Sequence, residues 1–557
     1  MKRWMRRELL LGWTLTAALA AAGCMSSGEA PLREEPAAIA AESERYDPPV
    51  SISTALVLND SDLKKLKAPD TIEDNPITRW ARDSLGVVQT YKWVLPDEAA
   101  LKNKVKMAIA GGEELPDAIY LNDSILPELL DDIAASGRFM EVEEAFERYA
   151  SPRLKEAYAK NPDVWKTVRW EGTAWGLPQI SDGKIGDPIL WVREDWLDAL
   201  GLAAPTTIAE LEEVLEAFTS GDPDGDGEAD TFGLALAGKH SLNAWLGDAS
   251  FLFGANGNQP YQWNRMPDGT LAYGSVQPEI VRSLTTLRGW YAKGWLHPNF
   301  ATHDEWTAAT MFASGEAGVV SAPGWMGGWP LAETGPDRDG KQPVFRPLPF
   351  PSGEDGKVGR RGSKISYGSY VFRKDFEHME AVFRYMDEVY GAFVEDPESV
   401  FRHGFGENYD YLIRDGEAIY DFPGATTAIS SFLMVAPGGV PPGVLEESLE
   451  SRVYRGKIET VYEKKLNATN ARLYLEGRIV GDAQLAHAQK DEFVGAPSAS
   501  MQAKWPALQQ LEKEVFLKIV YGKEGPEAFE RFVRDWHAYG GADITAEINA
   551  WDEENGE

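Results

Sequence analysis

The first ordered pattern of apolar and polar positions begins near Val50, where Ile52, Ala55, Val57 and Leu58 form the short apolar run of a strand. A helical segment follows over Lys102–Ala110 and is stopped by Gly111-Gly112. Leu115-Pro116-Asp117-Ala118-Ile119-Tyr120 then reads as a turn feeding a second strand. Strand, helix, strand in that order predicts an α/β layer. After Pro205, Thr207 and Glu210 have the spacing of a capping box, and Ile208, Leu211, Val214, Leu215 and Phe218 share one helical face. Near the C-terminus Leu508, Leu511, Val515 and Ile519 form another stripe, closed by Gly522. Pro526 opens a last helix with Phe529, Phe532, Val533 and Trp536 on one side.

The N-terminal end has a different pattern. Lys2, Arg3, Arg6 and Arg7 precede an apolar stretch from Leu9 to Ala22, 14 residues long. A bilayer-spanning helix needs about 20, so the stretch reads as a signal-peptide core over residues 1–23. Ala21-Ala22-Gly23-Cys24 resembles a bacterial lipobox, whose cysteine is diacylated; Ala21 departs from it, standing where Leu is usual. An ordinary cleavable signal with an incidental Cys24 is the alternative. Residues 24–48, rich in Ala, Pro, Glu and Ser, read as a flexible tether.

Cys24 is the only cysteine of 557 residues, which excludes an intramolecular disulfide, a CxxC redox pair and a cysteine-rich zinc site. The chain is long enough for two or more domains. Its formal charge of −33 becomes about −36 without residues 1–23. Such a field offers no footprint for nucleic acid or anionic lipid. Nineteen Trp and twenty Tyr leave room both for a core and for flat faces toward a ligand.

Gly172-Thr173-Ala174-Trp175-Gly176-Leu177-Pro178, then Leu190-Trp191-Val192-Arg193-Glu194-Asp195-Trp196-Leu197 and Leu200-Gly201-Leu202, resemble segments of family 1 extracellular solute-binding proteins, in particular the large lipoproteins of Gram-positive bacteria. Phe312-Ala313-Ser314-Gly315-Glu316-Ala317-Gly318-Val319 looks like that family's F-x-x-G-x-x-G approach to a strand, and it runs into Ser321-Ala322-Pro323-Gly324-Trp325. The ending Trp536, Gly540-Gly541, Glu547, Asn549 and Trp551 fits as well, so the resemblance covers roughly residues 50–555. It implies an α/β fold of two lobes, periplasmic-binding-protein-like (class II), joined by hinge strands with the ligand cleft between. The expected division is residues 49–186 and 320–368 in the N-terminal lobe and 187–319 and 369–557 in the C-terminal lobe. Chain crossings are placed near 180–190, 318–323 and 366–372.

Asp222-Pro223-Asp224-Gly225-Asp226-Gly227-Glu228-Ala229-Asp230 is the sharpest chemical motif. Carboxylates at positions 1, 3, 5 and 9, with Gly at 6, match the start of an EF-hand-type calcium loop, in which Glu228 would offer its backbone carbonyl. Hard oxygen donors suit Ca²⁺ in a structural role. Gly233 stands at position 12 where a bidentate Glu is expected, so other oxygens must complete the shell. A solvated turn that binds nothing is the alternative.

Trp325 and Trp329 lie on a glycine-rich segment, and an indole offers a flat face to a pyranose ring. By the resemblance Trp325 is the leading stacking candidate. Trp175, Trp245, Trp263 and Tyr370 are further aromatic candidates; Asp182, Asp123, Asn59, Asp60 and Arg193 are polar ones. The function implied is capture of a carbohydrate, an oligosaccharide by preference, and delivery to an ABC permease. The expected protein is not an enzyme, acts as a monomer, and is lipid-anchored on the outer face of the cell membrane. A secreted carbohydrate-active enzyme and a sensing partner of a membrane receptor are the rival readings. No HExxH, G-x-S-x-G or GxxxxGK[ST] motif is present, and seven His are scattered without metal-ligand spacing.

Overall fold

The protein is described as a computed structural model over residues 45–181, 186–336, 340–394, 400–435, 448–459, 461–469 and 472–555. Val50–Val57 (β1) is the apolar run seen in the sequence; it pairs in parallel with Val87–Leu95 (β2). Helix Glu98–Gly111 (α1), N-capped by Asp97 and ended by left-handed Gly112, leads to Ala118–Asn122 (β3), parallel to β1. Leu177–Ile180 (β4) completes the first pass through this lobe.

The chain then enters a second sheet with Pro188–Arg193 (β5). Helix Ile208–Ser220 (α2) carries the capping box in full: the Thr207 hydroxyl accepts from the Glu210 amide and the Glu210 carboxylate accepts from the Thr207 amide. Leu211, Val214, Leu215 and Phe218 turn into the core. Phe232–Ala235 (β6), helix Glu305–Ser314 (α3), Ala317–Pro323 (β7) and Phe345–Leu348 (β8) follow. The sheet runs β8-β5-β7-β6, with β7 antiparallel to β5 and parallel to β6.

Ser366–Phe372 (β9) returns to the first sheet, whose order is β2-β1-β3-β9-β4. Helix Met379–Val394 (α4) packs Val382, Phe383, Tyr385 and Met386 into the same core as Ile52 and Leu56. From residue 472 onward the chain belongs to the second lobe: Arg472–Ala483 (α5), Ala499–Val520 (α6), Ala528–Trp536 (α7) and Ala542–Asn555 (α8). Leu508, Phe516, Ile519, Phe529, Phe532 and Trp536 share one core with Leu190 and Val192. Among the described residues no helix is long and apolar enough to cross a membrane.

The fold is α/β and two-lobed, but the lobes divide the sequence differently from the expected 49–186 with 320–368 and 187–319 with 369–557. Residues 320–348 stay in the second lobe, where β7 is buried along its whole length between β5 and β6. The run Ala317-Gly318-Val319-Val320, where the resemblance implied a crossing at 318–323, is a central strand covered on both faces. Residues 369–435 lie with the first lobe, because β9 inserts between β3 and β4. The chain crosses between sheets at 181–187 and again at 361–366.

Candidate functional site

The crossings at 181–187 and 361–366 lie side by side and are stapled together. Ser181 donates its amide to the Ile365 carbonyl at 3.0 Å, and Gly186 donates to the Ser363 hydroxyl at 3.1 Å. Asp187 accepts from the Ser363 amide at 2.8 Å and from its hydroxyl at 2.7 Å. Its other oxygen stands 2.6 Å from the fully buried Arg360 guanidinium, a charge contact without good hydrogen-bond alignment. Arg361 next door reaches Asp248 at 2.6 Å and donates to the carbonyls of Gly186 and Ala244 at 3.0 and 3.2 Å. Burial pushes the Asp248 carboxyl up, against the pull of Arg361. Removing one member of such a buried pair costs about 3–5 kcal/mol, so these residues read as a rigid pivot.

A cavity of about 520 Å³ opens beside this pivot, within the size range of small-molecule sites. The first lobe contributes Asp123, Leu126 and Thr167; the second contributes Asn243, Tyr261, Gln262, Asp491 and Phe493. Arg361–Gly368, the crossing segment itself, forms the remaining wall. Asp123 meets Lys364 of the crossing segment at 2.6 Å. Asp491 accepts amide hydrogens from Trp263 and Phe493 at 3.0 and 3.2 Å. Its position deep between the lobes pushes its carboxyl up, although the side chain is open to the water of the cleft.

Four indoles cluster in the second lobe, and none of them, Trp325 included, is among the residues that line this cavity. Ala244, whose carbonyl Arg361 holds, lies between cleft-lining Asn243 and Trp245. Trp245 contacts Trp325 with ring centroids 5.5 Å apart and Trp306 at 5.1 Å; Trp306 meets Trp329 at 5.2 Å. Trp306 and Trp329 are 53% and 40% exposed. The glycines around Trp325 serve packing, not approach to a ligand. A Cβ on Gly324 would lie 2.5 Å from the Gly477 carbonyl oxygen, and one on Gly327 2.5 Å from that of Leu473, because α5 lies directly on this turn.

The remaining sequence candidates separate by burial. Trp263, 2% exposed, packs on Tyr273 and Trp505 in the core of the second lobe, and Tyr370, 6% exposed, packs on Tyr120 and Phe372 in the first. Neither faces the cleft; both are core aromatics. Trp175 is half-buried against the first-lobe core. Arg193 is buried in a bidentate pair with Asp195 at 2.9 and 2.7 Å. Asn59 caps the short helix that Asp60 opens, and Asp182 falls outside the described residues. Asp491, Phe493, Tyr261 and Tyr367 were not singled out from sequence; their 490s and 260s segments have no motif, and only the fold brings them to the cleft.

Far along the second lobe, Asp222, Asp224 and Asp226 gather carboxylate oxygens within 4.8 Å of one another in the loop between α2 and β6. Asp222 at φ 48° and Gly225 and Gly227 at φ 77° and 84° curl the loop. Gly227 donates to Asp222, and Glu228 donates to Asp226 at 2.9 Å. Burial and then the neighbouring Asp226 charge push Asp224 up. The side chains of Glu228 and Asp230 are exposed and do not join this cluster.

Comparison with known proteins places this geometry. The family model described as bacterial extracellular solute-binding protein matches residues 76–392, more than half the chain. The polygalacturonan/rhamnogalacturonan-binding protein YtcQ of Bacillus subtilis is 28% identical over 227 residues, 41% of this chain and 42% of that protein. The fructooligosaccharide ABC transporter substrate-binding protein FusA of Streptococcus pneumoniae is 34% identical over 162 residues, 28% of this chain and 29% of its own. Each of these alignments therefore spans less than half of the curated relative. Among solved structures, the HMO-binding, ABC-transporter-associated solute-binding protein of Bifidobacterium longum infantis has a TM-score of 0.65 at 16% identity, covering 91% of this chain and 100% of that one.

Proposed function

The chain belongs to the family of bacterial extracellular solute-binding proteins, and from that premise we propose that it captures a carbohydrate between its lobes and delivers it to an ABC permease. The observation that carries the reading is the cleft of about 520 Å³ whose wall is the chain crossing itself, so that movement about the pivot opens or closes it. Asparagine, glutamine, carboxylate and lysine groups along that wall supply hydrogen-bond partners for hydroxyls, while Phe493 and Tyr261 supply flat apolar faces. The similar proteins YtcQ, FusA and the bifidobacterial protein are each named for a glycan or a glycan transporter, which supports the same ligand class.

Trp325 is proposed as a stacking residue, Asp123 as a polar partner and Cys24 as the site of diacylation. The loop at Asp222 is proposed to hold a structural Ca²⁺: Asp222, Asp224 and Asp226 provide the converging hard oxygens such an ion takes, and the Glu228 carbonyl is the further donor. The role is binding without turnover.

Calorimetric titration with a panel of neutral and acidic oligosaccharides tests the reading. At least one should bind and be recovered unchanged after prolonged incubation. Trp325→Ala should weaken that affinity roughly thirtyfold, the cost of about 2 kcal/mol for a dominant aromatic anchor. Because Trp325 packs on Trp245, the variant should also lose about 1 kcal/mol of stability, read from denaturant melts. Absence of any saccharide binding, or conversion of the bound sugar, contradicts the proposal; unchanged affinity in the variant removes Trp325 from the site.

A further inference from the structure

A smaller cavity of about 190 Å³ adjoins the main cleft, and Phe493 lines both. On either wall the segments that line the two are neighbours in sequence. On the first lobe, Thr167 of the main cleft leads within three residues to Trp170, held at the tip of a tight hairpin over Arg169–Ala174. On the second lobe, Phe493 meets Trp551 of α8 edge-on, with centroids 4.9 Å apart. The Trp551 indole lies on Gly495, itself a lining residue of the main cleft; a Cβ there would stand 2.5 Å from the indole nitrogen. Arg265 forks onto Asp552 with two contacts of 2.8 Å and fixes that end of α8. Two half-buried indoles from opposite lobes thus frame a chamber that shares Phe493 with the cleft.

The charge of the chamber is one-sided. Glu171, Glu547 and Glu554 border it, and its only cation among the described lining residues, Arg169, is already engaged by Glu143. Against the upward push of burial, hydrogen bonds from Ser498 and Ser500 hold the Glu547 carboxyl below its usual range. A carboxylate-bearing ring would meet like charge here, whereas an uncharged ring would meet two aromatic faces and hydrogen-bond acceptors.

We propose that this chamber is a second subsite of the cleft, where Trp170 and Trp551 take a further uncharged ring of a chain saccharide whose first rings occupy the main cavity. The proposal rests on the saccharide reading above and adds to it a ligand that is an oligosaccharide and neutral at this end. The full chain is titrated with length ladders of neutral gluco-, galacto- and fructo-oligosaccharides and of oligogalacturonates. Affinity for one neutral ladder should climb with length, and Trp551→Ala should remove about tenfold from the longer members only. Trp551→Phe, which keeps an aromatic face, should retain most of that increment. Trp170→Ala on the opposite wall reads the same increment should Trp551→Ala fail to fold. The proposal is overturned if the shortest ligand binds as well as the longest, if the increment survives in both alanine variants, or if the oligogalacturonates show it. Loss of transport with an unchanged ladder would give the chamber to the permease and also overturn it. A wild-type protein that binds no saccharide removes the parent reading, whereas binding without a length increment removes this one alone.

Discussion

Glu512 holds a carboxyl in the core of the second lobe, 1% exposed, accepting from the Tyr273 hydroxyl at 2.8 Å. Burial pushes it up from 4.5 to about 7, with Ser275 and Tyr273 pulling the other way. Because the folded value lies above the unfolded one, the folded state keeps its proton after the unfolded state has lost its own. Its stability contribution is therefore whole below about pH 4.5 and is lost as pH rises to about 7. Glu512→Gln keeps an acceptor for Tyr273 and nothing to ionise. Relative to wild type the variant should gain stability between those two values, on the order of 2 kcal/mol by pH 7.5, in urea melts over a pH series. Equal pH dependence of the two proteins would show that Glu512 stays ionised in the core. In sequence this residue sits beside the stripe of Leu508, Leu511, Val515 and Ile519 and reads as a solvated helical position. The same blindness put Trp263 and Tyr370 toward a ligand: an aromatic's type says it has a flat face, and only the packing says what covers it.

At the scale of elements, local signals were legible. Thr207 and Glu210 capped α2 as their spacing indicated, Gly112 ended α1, and the Asp222 loop gathers three of its carboxylates. These features depend on contacts within a few residues, so sequence order is enough to find them. The loop joins α2 to the edge strand β6, and drawing like charges together there disfavours the closed loop unless a cation joins them. Millimolar Ca²⁺ added to chelator-stripped protein should raise the melting temperature, and Asp224→Ala should abolish the response while leaving the calcium-free melt nearly unchanged. An identical melt with and without calcium would leave the loop as a solvated turn. The place of β7 was not legible for the opposite reason: its strand partners β5 and β6 lie 127 and 85 residues away in sequence at Val319↔Val192 and Val319↔Leu234.

For the whole molecule, the cleft was legible only as a consequence of family. Its lining comes from the 120s, 160s, 180s, 240s, 260s, 360s and 490s, segments with no shared pattern, and the pivot of Asp187 with Ser363 joins residues 176 apart. Address, by contrast, is read from the first two dozen residues alone. Cys24 lies outside the described residues, and its proposed diacylation is tested by Cys24→Ser, which should move the protein from the membrane fraction to the medium or leave it unprocessed. A variant that fractionates and migrates as wild type does would leave the anchor without support.

The insertion of β9 between β3 and β4 also governs the order in which this molecule can be made. A chain that leaves the ribosome N-terminus first presents β1, β2, β3 and β4 long before residue 366 exists. Until then the edge of β3 that β9 will occupy and the whole of β4 lack their partner, and the first lobe has no finished sheet. No cut through the sequence separates the lobes into two self-sufficient halves. A nascent chain built in this way cannot complete its first sheet until roughly two-thirds of it has been synthesised.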